Sequence, residues 1–445
     1  MTHIEASNAL EILSKHQLVD GMPMVIDLER SHGSWIYDAC SNQEYLDAFT
    51  CFASWPLGYN HPKFSDPDYL DELVRAAKAN LSNSDLYSLE MTRFVETFGQ
   101  HATPDGFRHH FWVSGGSLAV ENALKAAFDW KARKLGRVDF EDDVNDLGVL
   151  HFKQAFHGRS GYTMSLTNTL PDKVGLFPKF DWPRVHNPKI IFDEKGGIAN
   201  DVEAEEAITY EQIDAVFANG SKFKNRIAAI IIEPMQGEGG DNHFRPEFLQ
   251  KLRDYAQNEE ALLIYDEVQT GFFGSGKPWI WEHHGVAPDL LAFGKKAQVC
   301  GFMAGPRIDE VEDNVFQISS RINSTWGGSL VDMVRSRRFM EIIHEDNLMA
   351  QVTETGEYVK SGLRAIAQET GAFTNVRGIG SLHAFTFETG AQRDAVGNSL
   401  FGQKLIGLTC GPRSLRFRLP MTMTCPEVDQ LLERVAICAR DHVLT

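Results

Sequence analysis

Short runs of apolar residues alternate with longer stretches of helical periodicity between about residues 81 and 330. The apolar runs include HFWV, GVLHF, AAIIIE, ALLIYD and LLAFG, and the helical stretches include SLAVENALKAAFDWKARK and RPEFLQKLRDYAQN. Strands that are apolar on both faces and separated by amphipathic helices are typical of a mostly parallel sheet covered by helices. The pattern therefore predicts an α/β fold with a large domain built around such a sheet.

The segments on either side of residues 81–330 have a different arrangement of predicted helices and strands. Residues 1–80 combine a short helix with the strand-like pieces MVIDLE and GSWIYDA. After Leu330, a helical pattern that includes GLRAIAQET precedes the strand-like SLHAFTFE and LRFRL and a final helix, EVDQLLERVAICARD. We predict a large domain at 81–330 and a smaller α+β domain at 331–445, to which 1–80 contributes an N-terminal segment.

Composition argues against several classes of partner. A formal net charge of −18 disfavours binding to nucleic acid or to an anionic membrane, because both need clustered basic residues. The sequence has no apolar run long enough for a transmembrane helix, and its first residues lack the apolar core of a secretory signal. Six scattered cysteines without a CxxC pair indicate reduced thiols and no zinc site. We expect a cytoplasmic protein without a bound metal.

Two polar residues follow predicted strands at the sheet edge where ligands bind in open α/β folds. Asp266 is the first charge after the apolar run at 261–265, and it is either hydrogen-bonded to loop amides or the counter-ion of a buried cation such as a pyridinium nitrogen. Lys295 follows the run at 290–293 and Gly294, where desolvation would make an amine nucleophilic. Lys296 competes for that role, and the residues alone leave the two lysines nearly tied.

A Ser-Gly-Gly-Ser turn at 114–117 links the run HFWV to a helix. Glycines let the backbone approach an anion, and a helix N-terminus offers free N–H groups, so the turn is a candidate phosphate cradle. A plain turn with a serine N-cap is the alternative. The sequence GFFGSGKP resembles the start of a P-loop, but Pro278 replaces the residue that would bind magnesium, which argues against nucleotide hydrolysis.

Taken together, these pieces resemble the class III (ω-type) aminotransferases that use pyridoxal phosphate. DEVQTGFFGSG followed by DLLAFGK is similar to the signature of that family, and AVENALK, FHGRSG, EPMQGEGG and LRFRLP occur in the family order. The resemblance implies the fold type I of these transferases and a homodimer. It also resolves the lysine tie, because the family's Schiff-base lysine directly follows the small residue that ends the strand, which is Lys295.

The resemblance assigns further contacts with the cofactor. Asp266 would partner the ring nitrogen and keep it protonated, so that the ring acts as an electron sink. Gln269 would contact the phenolic oxygen, and Phe156 would stack on the ring.

The phosphate contacts are implied in the same way. Gly116 and Ser117 would bind the phosphate, although the register of the turn within 114–117 stays open. Thr325 would reach the phosphate of the neighbouring subunit's cofactor, so that the homodimer shares its active sites.

Within the family, stretches such as NSDLYSLEMTRFVETF, LFPKFDWPR, GKKAQVCG and NSTWGG resemble those of lysine ε-aminotransferases. These enzymes move the ε-amino group of L-lysine to 2-oxoglutarate. The resemblance implies that Arg159 clamps the distal carboxylate and that Arg416 holds the α-carboxylate of 2-oxoglutarate. Glu238 would pair with Arg416 in one half-reaction and swing away in the other. Arg418 is expected to face the opposite side of its strand.

Other functions are compatible with the same motifs. An ω-aminotransferase with ornithine, 4-aminobutyrate or diaminobutyrate as donor is distinguished by the chain length of its donor, and the sequence does not give the depth of the pocket. An aminomutase would keep the amino group on one molecule, but the pair Arg159 and Arg416 favours a dicarboxylate acceptor. A non-catalytic binding protein is disfavoured by the presence of both Lys295 and Asp266.

Overall fold

The computed structural model describes residues 4–443. The helices are α1 (Ala6–Ser14), α2 (Thr50–Ala53), α3 (Pro67–Ala77), α4 (Leu89–His101), α5 (Gly116–Lys134), α6 (Gly161–Leu166), α7 (Pro171–Val174), α8 (Val202–Phe217), α9 (Pro246–Asn258), α10 (Leu330–Glu345), α11 (Leu348–Thr370), α12 (Gly390–Gly402) and α13 (Cys425–Val443). The strands are β1 (Trp35–Asp38), β2 (Gln43–Asp47), β3 (His109–Val113), β4 (Gly148–Phe152), β5 (Arg184–Val185), β6 (Ile227–Ile232), β7 (Met235–Gln236), β8 (Asn242–His243), β9 (Leu262–Asp266), β10 (Leu290–Phe293), β11 (Cys300–Ala304), β12 (Thr374–Ile379), β13 (Leu382–Thr386), β14 (Leu405–Ile406), β15 (Leu408–Cys410) and β16 (Ser414–Arg418).

The large sheet has seven strands in the order β3-β11-β10-β9-β6-β4-β5. Strand β11 runs antiparallel to both of its neighbours, and the remaining neighbouring pairs are parallel. Every residue of β4, β6, β9 and β10 is buried, because helices cover both faces. The predicted mostly parallel sheet is confirmed, and the predicted runs GVLHF and LLAF coincide with β4 and β10.

Helices on the two faces bury different parts of this sheet. Helix α5 packs on β10, β11 and β6, and α9 packs on β9 and β6. Helix α9 has an amphipathic pattern and buries four residues, Phe248, Leu249, Leu252 and Ala256. Both faces are therefore closed to water, and the carboxyl ends of the parallel strands are left as the place for polar chemistry.

Three smaller sheets lie outside the large one in the described part of the chain, and one of them is the two-stranded pair of β7 and β8. A four-stranded antiparallel sheet has the order β12-β13-β16-β15, and a three-stranded sheet has the order β1-β2-β14. In the latter, β14 pairs in parallel with β2, so an early and a late segment of the chain share one sheet. The domain limits at 80/81 and 330/331 stay a prediction.

One predicted strand is wrong. The piece MVIDLE forms only an isolated bridge between Ile26 and Asp38, whereas GSWIYDA contains β1. Ile26 and Leu28 are exposed, so the alternating apolar residues there have no core to cover. No helix within residues 4–443 has the length and apolarity needed to cross a bilayer.

Candidate active site

A cavity of about 500 Å³ opens at the carboxyl edge of the large sheet. It is lined by Gly116, Ser117, Phe156, His157, Gly158, Arg159, Ser160, Glu233, Glu238, Asp266, Val268, Gln269, Lys295 and Cys300. A cleft of similar size, about 540 Å³, lies beside Phe373 and Arg413, but its lining contains no lysine and no buried carboxylate. The first cavity therefore has the better chemistry for catalysis, and eight of the residues singled out in the sequence line it.

Lys295 reaches this cavity because of the turn that follows β10. The strand ends at Phe293, and Lys295 begins a 3-10 turn with a φ of 50°, in the left-handed region that residues other than glycine seldom adopt. Burial, together with the positive charges of Arg416 and Arg418, lowers the pKa of Lys295 to about 8. At pH 7 roughly a tenth of its amine is therefore neutral and nucleophilic, far more than for an ordinary lysine.

Lys296 points elsewhere. Its side chain is buried, and its Nζ donates a hydrogen bond to the main-chain oxygen of Gln269 at 2.5 Å. Burial and the neighbouring charge of Arg418 hold the pKa of Lys296 well below its usual value. Lys296 is absent from the lining of the cavity, so the geometry favours Lys295 as the reactive amine.

Asp266 ends β9 and is buried, with 5% of its surface exposed. Its Oδ1 accepts a hydrogen bond from the amide of Val268 at 3.0 Å, and its Oδ2 lies 2.8 Å from Nδ1 of His157. The hydrogen bond to a loop amide is therefore present, and Asp266 also lines the cavity, while its role as the counter-ion of a buried cation stays a prediction. His157 orients that carboxylate.

Glu233 is a second buried carboxylate on this wall. Its two oxygens accept hydrogen bonds from the amides of Phe156 at 3.0 Å and Gly237 at 2.9 Å. Burial raises the pKa of Glu233 to about 7, although His157 opposes the shift. The bond from the Phe156 amide places Phe156, the residue before His157, beside the end of β6.

The opposite end of the cavity is formed by the start of α5. Gly116 and Ser117 are the first two residues of the helix, which has no side-chain cap, so its first amides are left for a ligand. The hydroxyl of Ser117 lies 2.5 Å from that of Ser160 and 2.8 Å from that of Thr163. Gly158 has a φ of 123°, and a Cβ there would lie 2.3 Å from the Ser117 hydroxyl. The uncapped helix start is compatible with the predicted phosphate cradle, which stays a prediction.

Arg416, on β16 of the four-stranded sheet, does not line the cavity but contacts two residues that do. Its Nη2 donates to Oε2 of Glu238 at 2.8 Å, and its Nη1 donates to Oε1 of Gln269 at 3.0 Å. Arg416 is buried, with 1% of its surface exposed. The predicted ion pair between Glu238 and Arg416 is therefore formed in this structure. Gln269 accepts a hydrogen bond from the same arginine.

The expectation that Arg418 faces away from Arg416 is wrong. Residues two apart on a strand share one face, and both arginines contact Oε1 of Gln269. Arg418 is instead committed to another partner, because its Nη1 and Nη2 lie 2.7 and 2.6 Å from the two carboxylate oxygens of Asp241. Asp241 thus pairs with Arg418, whereas Arg416 pairs with Glu238.

Two other predicted site residues, Arg159 and Thr325, are exposed. Arg159 lines the cavity but is exposed and forms no ion pair with any residue in the part of the chain that the structure describes. Thr325 is exposed and lies outside the lining of the cavity.

The sequence analysis missed His157, Glu233 and Asp241. His157 stands inside the motif FHGRSG, and Glu233 is the first charge after β6, so the strand-end rule that selected Asp266 would also have selected Glu233. Asp241 had no comparable signal, because its partner is far away in the sequence.

Comparisons with known proteins agree with this arrangement. The sequence model of the family "Aminotransferase class-III" matches residues 17–438. The L-lysine-epsilon aminotransferase of Amycolatopsis lactamdurans is 47% identical, over 97% of this chain and 95% of that protein. The enzyme of the same name from Streptomyces clavuligerus is 45% identical, over 98% and 94%. A solved lysine aminotransferase from Mycobacterium tuberculosis superimposes with a TM-score of 0.91 at 45% identity, covering 97% of this chain and 98% of that one. The cavity, its lysine and its buried aspartate thus lie in a chain that belongs to the class-III aminotransferase family.

Proposed function

We propose that this enzyme transfers the ε-amino group of L-lysine to 2-oxoglutarate and so produces 2-aminoadipate 6-semialdehyde and L-glutamate. The observation that carries the proposal is the amine of Lys295, with its lowered pKa, in one cavity with the buried carboxylate of Asp266. Relatives 45–47% identical over nearly their whole length are named for the ε-amino group of lysine, which supports this donor.

The residues of the cavity fit pyridoxal phosphate. Lys295 supplies an amine for covalent attachment of the aldehyde, Asp266 a buried carboxylate for the ring nitrogen, and Phe156 an aromatic ring for stacking. The uncapped start of α5 at Gly116 and Ser117 suits the phosphate. When bound, pyridoxal phosphate supplies a ring that stabilises negative charge on the amine-bearing carbon.

Each residue of the site would then have a separate role in the reaction. The Nζ of Lys295 would serve as the general base that takes a proton from the ε-carbon of lysine, and its pKa of about 8 suits proton transfer near neutral pH. Asp266 would keep a proton on the ring nitrogen, and the hydrogen bond from His157 fixes the carboxylate in place. Gln269 lines the cavity and accepts from Arg416 through Oε1, so its amide nitrogen Nε2 would donate to the phenolic oxygen.

Two arginines would bind the carboxylates of the substrates. Arg159, exposed in the cavity without an ion pair among the described residues, would hold the carboxylate far from the reacting carbon. Arg416 would hold the α-carboxylate of 2-oxoglutarate. While lysine is bound, Glu238 neutralises Arg416 as it does in this structure.

A homodimer completes the proposal. Thr325 is exposed and does not line its own cavity, as expected of a residue that serves the neighbouring subunit's cofactor. We also propose that the enzyme works in the cytoplasm, since all six cysteines are free thiols.

Spectroscopy of the purified enzyme tests the function. L-lysine alone should bleach the visible absorption of the bound cofactor, and 2-oxoglutarate should restore it while glutamate forms. Lys295→Ala should abolish that absorption, whereas Lys296→Met should retain it. Bleaching by ornithine or 4-aminobutyrate, but not by lysine, would reassign the donor, and turnover of lysine without glutamate formation would indicate an aminomutase.

A further inference from the structure

The short helix α7 places Lys173 at the mouth of the cavity. The Nζ of Lys173 donates to Oε1 of Glu238, whose other oxygen accepts from Arg416 at 2.8 Å. The same Nζ lies 5.5 Å from the centre of the Phe156 ring. The Glu238 carboxylate is therefore held between two cations, one on the large-domain side and one on the small sheet.

The carboxylate is charged in this position. Burial alone would raise the pKa of Glu238, but Arg416 and then Lys173 bring it below its usual value. If a substrate carboxylate takes Arg416, Glu238 loses its 2.8 Å bond while it remains ionised and only 20% exposed. An ionised carboxylate left there without a partner is costly. Among the described residues, Lys173 is the cation already in contact with it.

We propose that Lys173 is the partner that holds Glu238 while Arg416 binds the α-carboxylate of the keto-acid acceptor. This inference rests on the proposed function. Lys173 acts through Glu238 and is a positioning residue. The site must accept first a cationic donor and then a dicarboxylate, and Lys173 sets the balance between these two half-reactions.

Removal of Lys173 should affect the two half-reactions unequally. In the donor half-reaction, Glu238 keeps its pair with Arg416 whether or not Lys173 is present. In the acceptor half-reaction, Lys173 is the one partner that Glu238 keeps. Removal of Lys173 therefore weakens binding of the acceptor and leaves binding of the donor unchanged. A charge-assisted hydrogen bond at a partly exposed pair corresponds to a change of about tenfold in affinity.

The test uses the holoenzyme with Lys173→Met, Lys173→Arg and the control Lys222→Met, which removes a surface ion pair with Asp181 at 2.7 Å. The probe is glutarate, an unreactive dicarboxylate, with its Kd measured by calorimetry. Single-turnover rates with L-lysine and with 2-oxoglutarate are measured separately. We expect Lys173→Met to raise the Kd of glutarate about tenfold and to slow the acceptor step more than the donor step. Lys173→Arg should restore both, and Lys222→Met should change neither.

A Glu238→Ala background separates this role from simple attraction of an anion. Without Glu238 there is no carboxylate to hold, so Lys173→Met should leave the Kd of glutarate unchanged there. A tenfold weakening in that background, an equal loss in both half-reactions, or no effect in the unchanged background would each overturn the proposal. If lysine fails to react with the unchanged holoenzyme, the proposed donor is wrong, while the glutarate measurement still decides the role of Lys173.

Discussion

Replacing Asp241 by asparagine would leave the guanidinium of Arg418 buried without its counter-charge. Both side chains are at least 98% buried, and the two bonds between them measure 2.7 and 2.6 Å. Asp241 has a φ of 49°, a conformation that asparagine tolerates well, so the substitution changes the charge with little backbone strain. Removing one partner of a buried ion pair costs about 3–5 kcal/mol.

That loss of stability can be measured as a fall in the melting temperature, Tm. Unfolding entropies of about 2.1 cal/mol/K per residue convert it to a fall in Tm of about 3–5 °C if the whole chain melts as one unit. Differential scanning calorimetry of the holoenzyme at fixed protein concentration measures the shift. Glu369→Gln, which breaks an exposed pair with Arg440, is the matched control and should shift Tm by less than about 1 °C.

The double variant Asp241→Asn with Arg418→Met tests the cause. Because it removes both charges, it should recover more than half of the lost Tm. If Asp241→Asn melts within about 1 °C of the unchanged protein, or if the double variant is no more stable than the single one, the ion pair does not govern this region.

Two further predictions concern buried charge and assembly. Because the folded-state pKa of Glu233 is raised to about 7 from 4.5, the unfolded chain releases this proton first, and its contribution to stability is lost as pH rises from about 4.5 through 7. The Tm of Glu233→Gln minus that of the unchanged protein should therefore increase between pH 5 and pH 8, and a constant difference would contradict the shift. Mixing Lys295→Ala subunits with Thr325→Ala subunits should create hybrids with one intact site if Thr325 serves the neighbouring subunit. Activity no higher than that of the two separate variants, in a sample proven to contain hybrids, would argue against the shared site.

Much of the large sheet was readable from the sequence alone. Fully buried parallel strands must consist of continuous apolar residues, so GVLHF and LLAF predicted β4 and β10 to the residue. The first polar residue after such a run lies at the ligand-binding edge, which is why Asp266 could be selected from its position in the chain. Position alone left Lys295 and Lys296 tied, and the resemblance to the family selected Lys295. The alternating residues of MVIDLE were misleading, since alternation predicts a strand only where one face meets a core.

Tertiary structure decided which charges meet. Glu238 and Arg416 are 178 residues apart, and Lys173 and Glu238 are 65 residues apart. No local pattern encodes these contacts, because they depend on the order of strands in two sheets and on how the sheets pack. The same holds for Arg416 and Arg418, which share one face of β16 but have different partners, Glu238 and Asp241. Sequence periodicity determines which residues are buried and which lie at strand ends, whereas the partners of a buried charge are determined by packing between distant segments.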